Sequence, residues 1–178
     1  MSGHNKWAQI KRQKAVTDAK RSQIFSKLSK NISVEARLSD GKDSPSLRAA
    51  IEKAKKVNMP KDVIERAVKK GSEPSNQMEY IMYEAYGPGG AGIIIETLTD
   101  SRNRTAQEIK HLLSKNGFSL AGIGSVSWAF TKENTPQGML WIPNTTTSLS
   151  DEDILALDNL IEEIESNDDV QDVYTNAE

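Results

Sequence analysis

The stretch YIMYEAYGPGGAGIIIETL, residues 80–98, decides the fold. Tyr80–Tyr86 is rich in aromatic and β-branched residues and runs into Gly87-Pro88-Gly89-Gly90. Gly92–Leu98 follows as a nearly continuous apolar run. That composition, punctuated by a turn, reads as two strands, the second of them well buried. A junction this short favours an antiparallel pair, because a parallel neighbour needs a long crossover. Consecutive glycines also let backbone N–H groups converge on a phosphate. A turn that merely joins two strands is the plainer reading, since no helix starts directly after it.

C-terminal to this stretch, Asp100 or Ser101 caps a helix that carries Ile109, Leu112 and Leu113 to Asn116-Gly117. Ser125–Thr131 and Gly138–Ile142 read as further strands. Ser150-Asp-Glu-Asp153 caps a helix with Ile154, Leu157, Leu160, Ile161 and Ile164 on one side, and Val170–Tyr174 reads as a last strand. N-terminal to it, no segment alternates. A short basic helix begins at Trp7. A longer one runs from a cap at Thr17-Asp18, with Ile24, Phe25, Leu28 and Ile32 in phase, to about Leu38. After the loop 39–43, Ser44-Pro45 opens a third helix that ends at Asn58. Pro60 opens a fourth, with Gly71 as its stop. The expected fold class is α+β: a basic N-terminal helical bundle (1–71), a linker (72–78), and a mainly antiparallel sheet with helices on one face (79–178). The bundle has only Trp7 and Phe25 as aromatics and many inward alanines. It is expected to be weakly stable, with residues before about Asp18 mobile until they meet a partner.

The near-neutral total, a net charge of −2, hides a segregation. Residues 1–71 hold 18 Lys and Arg against 7 acids, a surplus of 11 positive charges. Residues 72–178 hold 5 against 18, a surplus of 13 negative charges. Such asymmetry points to a polyanionic partner for the basic half, the alternative being two domains held together by opposite charge. Surface ion pairs stabilise little once screened, which disfavours the alternative. The terminus MSGHNKWAQIKRQKAVTDAKR has no apolar run for a secretory signal and is Lys-rich where a transit peptide is Arg- and Ser-rich. The absence of cysteine excludes disulfides and thiolate metal sites and fits a reducing compartment. The cytoplasm is therefore the expected location, with the mitochondrial matrix as the alternative, and no membrane partner is expected.

Catalytic constellations are missing: there is no phosphate-loop, nucleophile-elbow or HExxH motif. His4 and His111 stand in different halves and are read as hydrogen-bonding or surface residues. The carboxylates of 151–172 are read as a solvated helix face, not as a divalent-ion site. No enzyme, cofactor or small-molecule substrate is expected. The binding candidates are Lys6, Lys11, Arg12, Lys14, Lys20, Arg21, Lys27 and Lys30, which wrap around their helices and suit phosphates on several sides. Trp7 stacks on a base or anchors the bundle. Arg102 and Arg104 open a helix against its dipole, so an anion or neighbouring acids such as Asp100 or Glu96 must compensate them. No recognition helix stands out, and helix-turn-helix spacing is not convincing. Charge and periodicity leave RNA and DNA undivided, although dispersed lysines and a flexible arm suit structured RNA.

Four segments together resemble the YebC/PmpR family, which includes the mitochondrial translational activator of cytochrome oxidase. They are SGHNKWAQIKRQKAVTDAKR with IFSKLSKNISVEAR, RAAIEKAKKVNMPKDVIERAVKKG, YEAYGPGGAGIIIETLTDSRNRTAQEIKHLLSKNG with GSVSWAF, and the tail IPNTTTSLSDEDILALDNLIEEIESNDDVQDVYTN. Ala85 stands where the family usually has Gly. Only Thr131–Gly138 bridges two strands between which family members carry a third domain, so a segment of about 60 residues is expected to be missing here. The resemblance implies a non-enzymatic, cytoplasmic nucleic-acid-binding protein, with Gly3, His4, Lys6, Trp7, Lys11, Lys14, Lys20, Arg21, Arg102 and Arg104 as contacts. It favours a translation factor on the ribosome, touching ribosomal RNA and tRNA at difficult sequences such as proline runs. A DNA-binding transcriptional regulator comes second. A protein-interaction module acting through the acidic domain comes third.

Overall fold

The computed structural model describes residues 18–73, 77–135 and 138–178. The chain divides into two compact units, one holding the described residues up to Glu79 and the other holding Tyr80–Glu178. The short helix expected from Trp7 and the cap at Thr17 lie outside the described residues.

The first unit is three helices: α1 (Asp18–Leu38), α2 (Pro45–Lys56) and α3 (Lys61–Ser72). Left-handed Asp40 and Gly41 turn the chain after α1. Ser44 then caps α2, its hydroxyl accepting the N–H of Leu47 at 3.1 Å, and Pro45 supplies a first helical residue that needs no donor. The buried cluster is Ile32, Ala36, Leu47, Ala50, Ala54, Met59, Ile64 and Ala67, four of the eight being alanine. Small residues let the helices approach closely. The closest approach is at Gly71, where a Cβ would stand 2.3 Å from the Ser33 carbonyl oxygen. The sequence assigns Gly71 to the helix stop. In the structure α3 continues to Ser72 and Gly71 is buried inside it, because the residue is needed for contact with α1 and not for a turn.

In the second unit, β1 (Glu79–Tyr86), β2 (Gly92–Thr99) and β5 (Val170–Thr175) form a three-stranded sheet in the order β1-β2-β5. The five-residue link between β1 and β2 makes them an antiparallel hairpin. Its turn uses left-handed Gly89 and Gly90, and the N–H groups of Gly87, Gly90 and Ala91 all bond within it. Those amides are therefore spent on the turn and not presented to a phosphate. β2 pairs antiparallel with β5, Ile93 opposite Thr175 and Ile95 opposite Val173, with an irregularity at Glu96 and Thr97.

Alternation on β2 explains its unbroken apolar run. Ile93 and Ile95 pack into a core with Ile109 and Leu113 of α4 (Arg102–Lys115) and Leu157, Leu160 and Ile164 of α5 (Asp151–Glu165). Ile94 faces the other way, into a second cluster with Val126, Ala129, Phe130 and Tyr174. There the hairpin β3 (Phe130–Thr135) and β4 (Gly138–Pro143) covers the face, its strands paired from Phe130 opposite Pro143 to Thr135 opposite Gly138. The fold is α+β, with helices on one face of an antiparallel sheet.

One element differs from the expected pattern. Ser125–Thr131 is not a strand: Ser127–Ala129 forms a 3-10 turn and the strand begins at Phe130. The cause is Glu84, a buried carboxylate of β1 that accepts the N–H groups of Gly124 (2.8 Å), Val126 (2.6 Å) and Ser127 (2.8 Å). Amides gathered around one carboxylate have no strand ladder to join.

Candidate nucleic-acid interface

Lys20, Arg21, Lys27 and Lys30 all lie on α1. Arg21 is exposed and the other three are half-buried, and none of the four is a free cation. The partial burial of the three follows from the place of α1, which packs on both other helices. Gly3, His4, Lys6, Trp7, Lys11, Arg12 and Lys14 lie outside the described residues.

The bundle also presents cations that the sequence reading did not single out. Lys42, Lys53, Lys56, Lys69 and Lys70 are exposed and form no salt bridge among the described residues. Lys53 and Lys56 stand in the last turn of α2, and Lys69 and Lys70 in that of α3. Helix C-termini favour positive charge, which hid these residues among ordinary capping features. Other cations are paired on their own helices: Lys55 with Glu52 at 2.8 Å, Lys61 with Glu65 at 3.5 Å, and Arg66 with Asp62 at 2.8 Å. Arg48 pairs with Asp43 at 3.2 Å in the preceding loop.

The second unit resolves the question posed by Arg102 and Arg104, for Arg104 at least. Its guanidinium lies 2.9 Å from Asp169 and 3.0 Å from Asp100. Asp169 is buried, and the same oxygen accepts the Thr105 hydroxyl at 2.7 Å. Hydrogen bonds to Asp169 first, then Asp100, raise the guanidinium pKa even above its usual high value. Neighbouring acids thus compensate Arg104 at the α4 N-terminus. Glu96, the other acid considered, instead accepts Lys132 at 3.1 Å and the Trp141 indole N–H at 2.9 Å. Arg102 is exposed on the first turn of α4 and has contacts of its own. The Arg104 network was half legible: Asp100 stands four residues away, as helix pairs do, but Asp169 is brought in by the α5–β5 turn.

His111 is exposed on α4. Among the described residues, no group of three His, Asp or Glu is placed to hold a metal ion. No described helix is long and apolar enough to cross a membrane.

Comparison with known proteins matches this architecture along the chain. Residues 5–74 match the model of the TACO1/YebC protein N-terminal domain. Residues 78–137 and 133–177 match that of the TACO1/YebC second and third domain, the two stretches meeting at the β3–β4 hairpin tip. A probable transcriptional regulatory protein of Fervidobacterium nodosum is 50% identical over 177 residues, covering 96% of this chain and 68% of that protein. One of Petrotoga mobilis is 46% identical over 183 residues, covering 100% of this chain and 71% of the relative. The crystal structure of the conserved hypothetical protein Aq1575 from Aquifex aeolicus superposes with a TM-score of 0.79. It is 30% identical in sequence and the match covers 90% of this chain and 91% of that one. With both units matched and identities this high over nearly its full length, the chain belongs to the TACO1/YebC family.

Proposed function

We propose that this protein is a non-enzymatic regulator of gene expression that binds nucleic acid through its basic N-terminal unit. The observation that carries the reading is the charge segregation, 18 Lys and Arg against 7 acids over residues 1–71, in a unit whose outward lysines include five without a salt bridge among the described residues. Relatives named as probable transcriptional regulatory proteins support the regulatory role.

In its finer form, the partner is structured RNA of the ribosome, ribosomal RNA or tRNA, and the protein acts as a cytoplasmic translation factor at difficult sequences. Gly3, His4, Lys6, Trp7, Lys11, Arg12 and Lys14 would be its first contacts, continued along α1 by Lys20, Arg21, Lys27 and Lys30. Arg102 is the remaining candidate in the acidic unit. Arg104 serves the α4 terminus, its charge being committed to Asp169 and Asp100. The link 131–138 is where longer relatives would carry their further domain. DNA is the second reading, favoured by the naming of the relatives.

Co-sedimentation with ribosomes at moderate salt tests the RNA form. Binding is expected, and reversal of Lys6, Lys11 and Lys14 to Glu should abolish it. Promoter binding that depends on sequence, with no ribosome association, would transfer the function to the second reading. Charge reversals that change neither ribosome nor nucleic-acid binding would sink both.

A further inference from the structure

We propose that Tyr86, Ile123 and Trp128 form a platform on the second unit that takes an unpaired nucleobase of a single strand. This rests on the nucleic-acid reading but adds a site in the other unit, one that binds by stacking and not by charge.

The three side chains stand out from an otherwise closed unit. Ile123 is 97% exposed, Trp128 65% and Tyr86 45%. Apolar side chains scattered singly over a surface need no explanation. These are gathered at one backbone atom: the Tyr86 hydroxyl and the Trp128 indole N–H both donate to the Ser125 carbonyl, and Ile123 stands two residues before it. With both polar atoms satisfied, the rings offer apolar surface alone. Trp128 is also placed outside against its own sequence pattern. A strand through Val126, Trp128 and Phe130 would bury all three on one face. The 3-10 turn Ser127–Ala129 leaves Val126 and Phe130 buried and puts Trp128 in solvent.

The backing is fixed before any ligand arrives. Buried Glu84 accepts the N–H groups of Gly124, Val126 and Ser127, and its backbone carbonyl accepts the Ala121 N–H at 2.8 Å. Left-handed Gly124, φ 84°, turns the chain between Ile123 and Ser125. A loop already ordered loses little conformational entropy on binding. A buried carboxylate is a costly device for ordering a loop whose apolar side chains the fold itself does not bury.

Size and charge identify the ligand. A stable protein interface takes about 20–30 residues a side, and three side chains fall far short of that. They suit a base, since single strands are held by stacking on aromatic side chains and every base has a π-face. Residues 85–95 and 116–131, which supply the platform, contain no charged residue, although residues 72–178 hold 18 acids against 5 Lys and Arg. A phosphate backbone can therefore deliver a base here without meeting a carboxylate from either stretch. A duplex keeps its bases stacked on one another, so only unpaired bases can be offered.

The test is titration of the full-length protein, over a series of salt concentrations, with a short adenylate strand as RNA and as DNA, and with an RNA duplex of the same length. Trp128→Ala should weaken binding of the single strand about tenfold at every salt concentration and leave the salt slope unchanged, because a stacked base releases no counterion. Binding of the duplex should not change. Trp128→Phe keeps a ring face but loses the indole donor, so it should retain most of the affinity, whereas a residue that only braces the loop would fail in both variants alike. Circular dichroism verifies that the variants remain folded. Equal losses on the RNA and DNA strands mean that the base alone is recognised, and a loss on one of them names the polymer that supplies it; both uphold the site. The proposal falls if Trp128→Ala leaves both strands unaffected, if strand and duplex weaken alike, or if Trp128→Phe loses as much as Trp128→Ala. Unaltered strand binding with loss of ribosome co-sedimentation in Trp128→Ala also overturns it, giving the surface to a protein. In each of these cases, binding by the parent protein that depends on Lys6, Lys11 and Lys14 leaves the proposed function standing. A parent protein that binds neither strand nor duplex removes both.

Discussion

Glu84 is the residue on which the second unit turns. It is 3% exposed, yet it is a carboxylate. Burial alone would raise its pKa, but N–H donors from Gly124, Val126 and Ser127, with help from the Ser127 side chain, outweigh burial and hold it below the ordinary 4.5. A carboxylate with a depressed folded pKa adds stability above its unfolded pKa, and that stability is lost as pH falls through the folded value. The expected result is a stability difference between the parent protein and Glu84→Gln that is constant near neutral pH and shrinks below about pH 4.5. Denaturant titrations across that range measure it, and a difference that does not change with pH would refute the assignment. Glu84→Ala, which strands three amides, should cost roughly 3 kcal/mol near neutrality. Tyr86 at the end of β1 and Trp128 in the 3-10 turn hold the same segment: the Tyr86 hydroxyl and the Trp128 indole N–H both donate to the Ser125 carbonyl, at 2.5 Å and 2.8 Å. None of this is visible in SVSWAF itself. Its alternation is that of a strand, and what bends it is an acid 42 residues before Val126.

Elements in this chain were legible where their own residues determine them. Ser44-Pro45 and Ser150 cap helices where their side chains and ring suit a first turn, and β2 is buried on both faces as an unbroken apolar run requires. They were not legible where a neighbouring element supplies the reason. Gly71 has the look of a helix stop because glycine is common there, yet its role depends on α1. Gly71→Ala weighs the two effects against each other. Alanine should favour the helix by about 1 kcal/mol through propensity alone. Against this, its Cβ would meet the Ser33 carbonyl oxygen at 2.3 Å and the Ala36 Cβ at 2.7 Å. Backbone cannot yield as a flexible side chain does, so α1 and α3 must separate, at a typical overpacking cost of about 1–3 kcal/mol. A net loss of stability is therefore expected in urea unfolding followed by far-ultraviolet circular dichroism. A midpoint unchanged or raised would mean that Gly71 is only a terminus.

At the scale of the whole molecule the sign of charge is divided between two units, and each unit's packing is independent of that division. The first unit closes on alanines and a glycine, which cost its cationic surface nothing. The second closes on a β2 core and uses some of its acids inside it, Glu84 for backbone amides and Asp169 for Arg104, while most acids of α5 stay on its surface. A polyanion bound by the first unit must release counterions, one for each phosphate neutralised. The logarithm of affinity should then fall linearly with the logarithm of salt concentration, with a slope of about −0.7 per contact for single strands and about −0.9 for B-form DNA. Reversing Lys53 and Lys56 to Glu should therefore make the slope shallower by about 1.5 to 2 if both touch phosphate. The opposite change at the exposed acids Asp151 and Glu152 on α5 should leave the slope unaltered, because these residues contact no phosphate. Binding isotherms over a series of salt concentrations give both numbers. A slope that ignores Lys53 and Lys56 would place the phosphate contacts elsewhere on the basic unit. A slope that steepens on reversing Asp151 and Glu152 would show that the acidic unit also faces the nucleic acid.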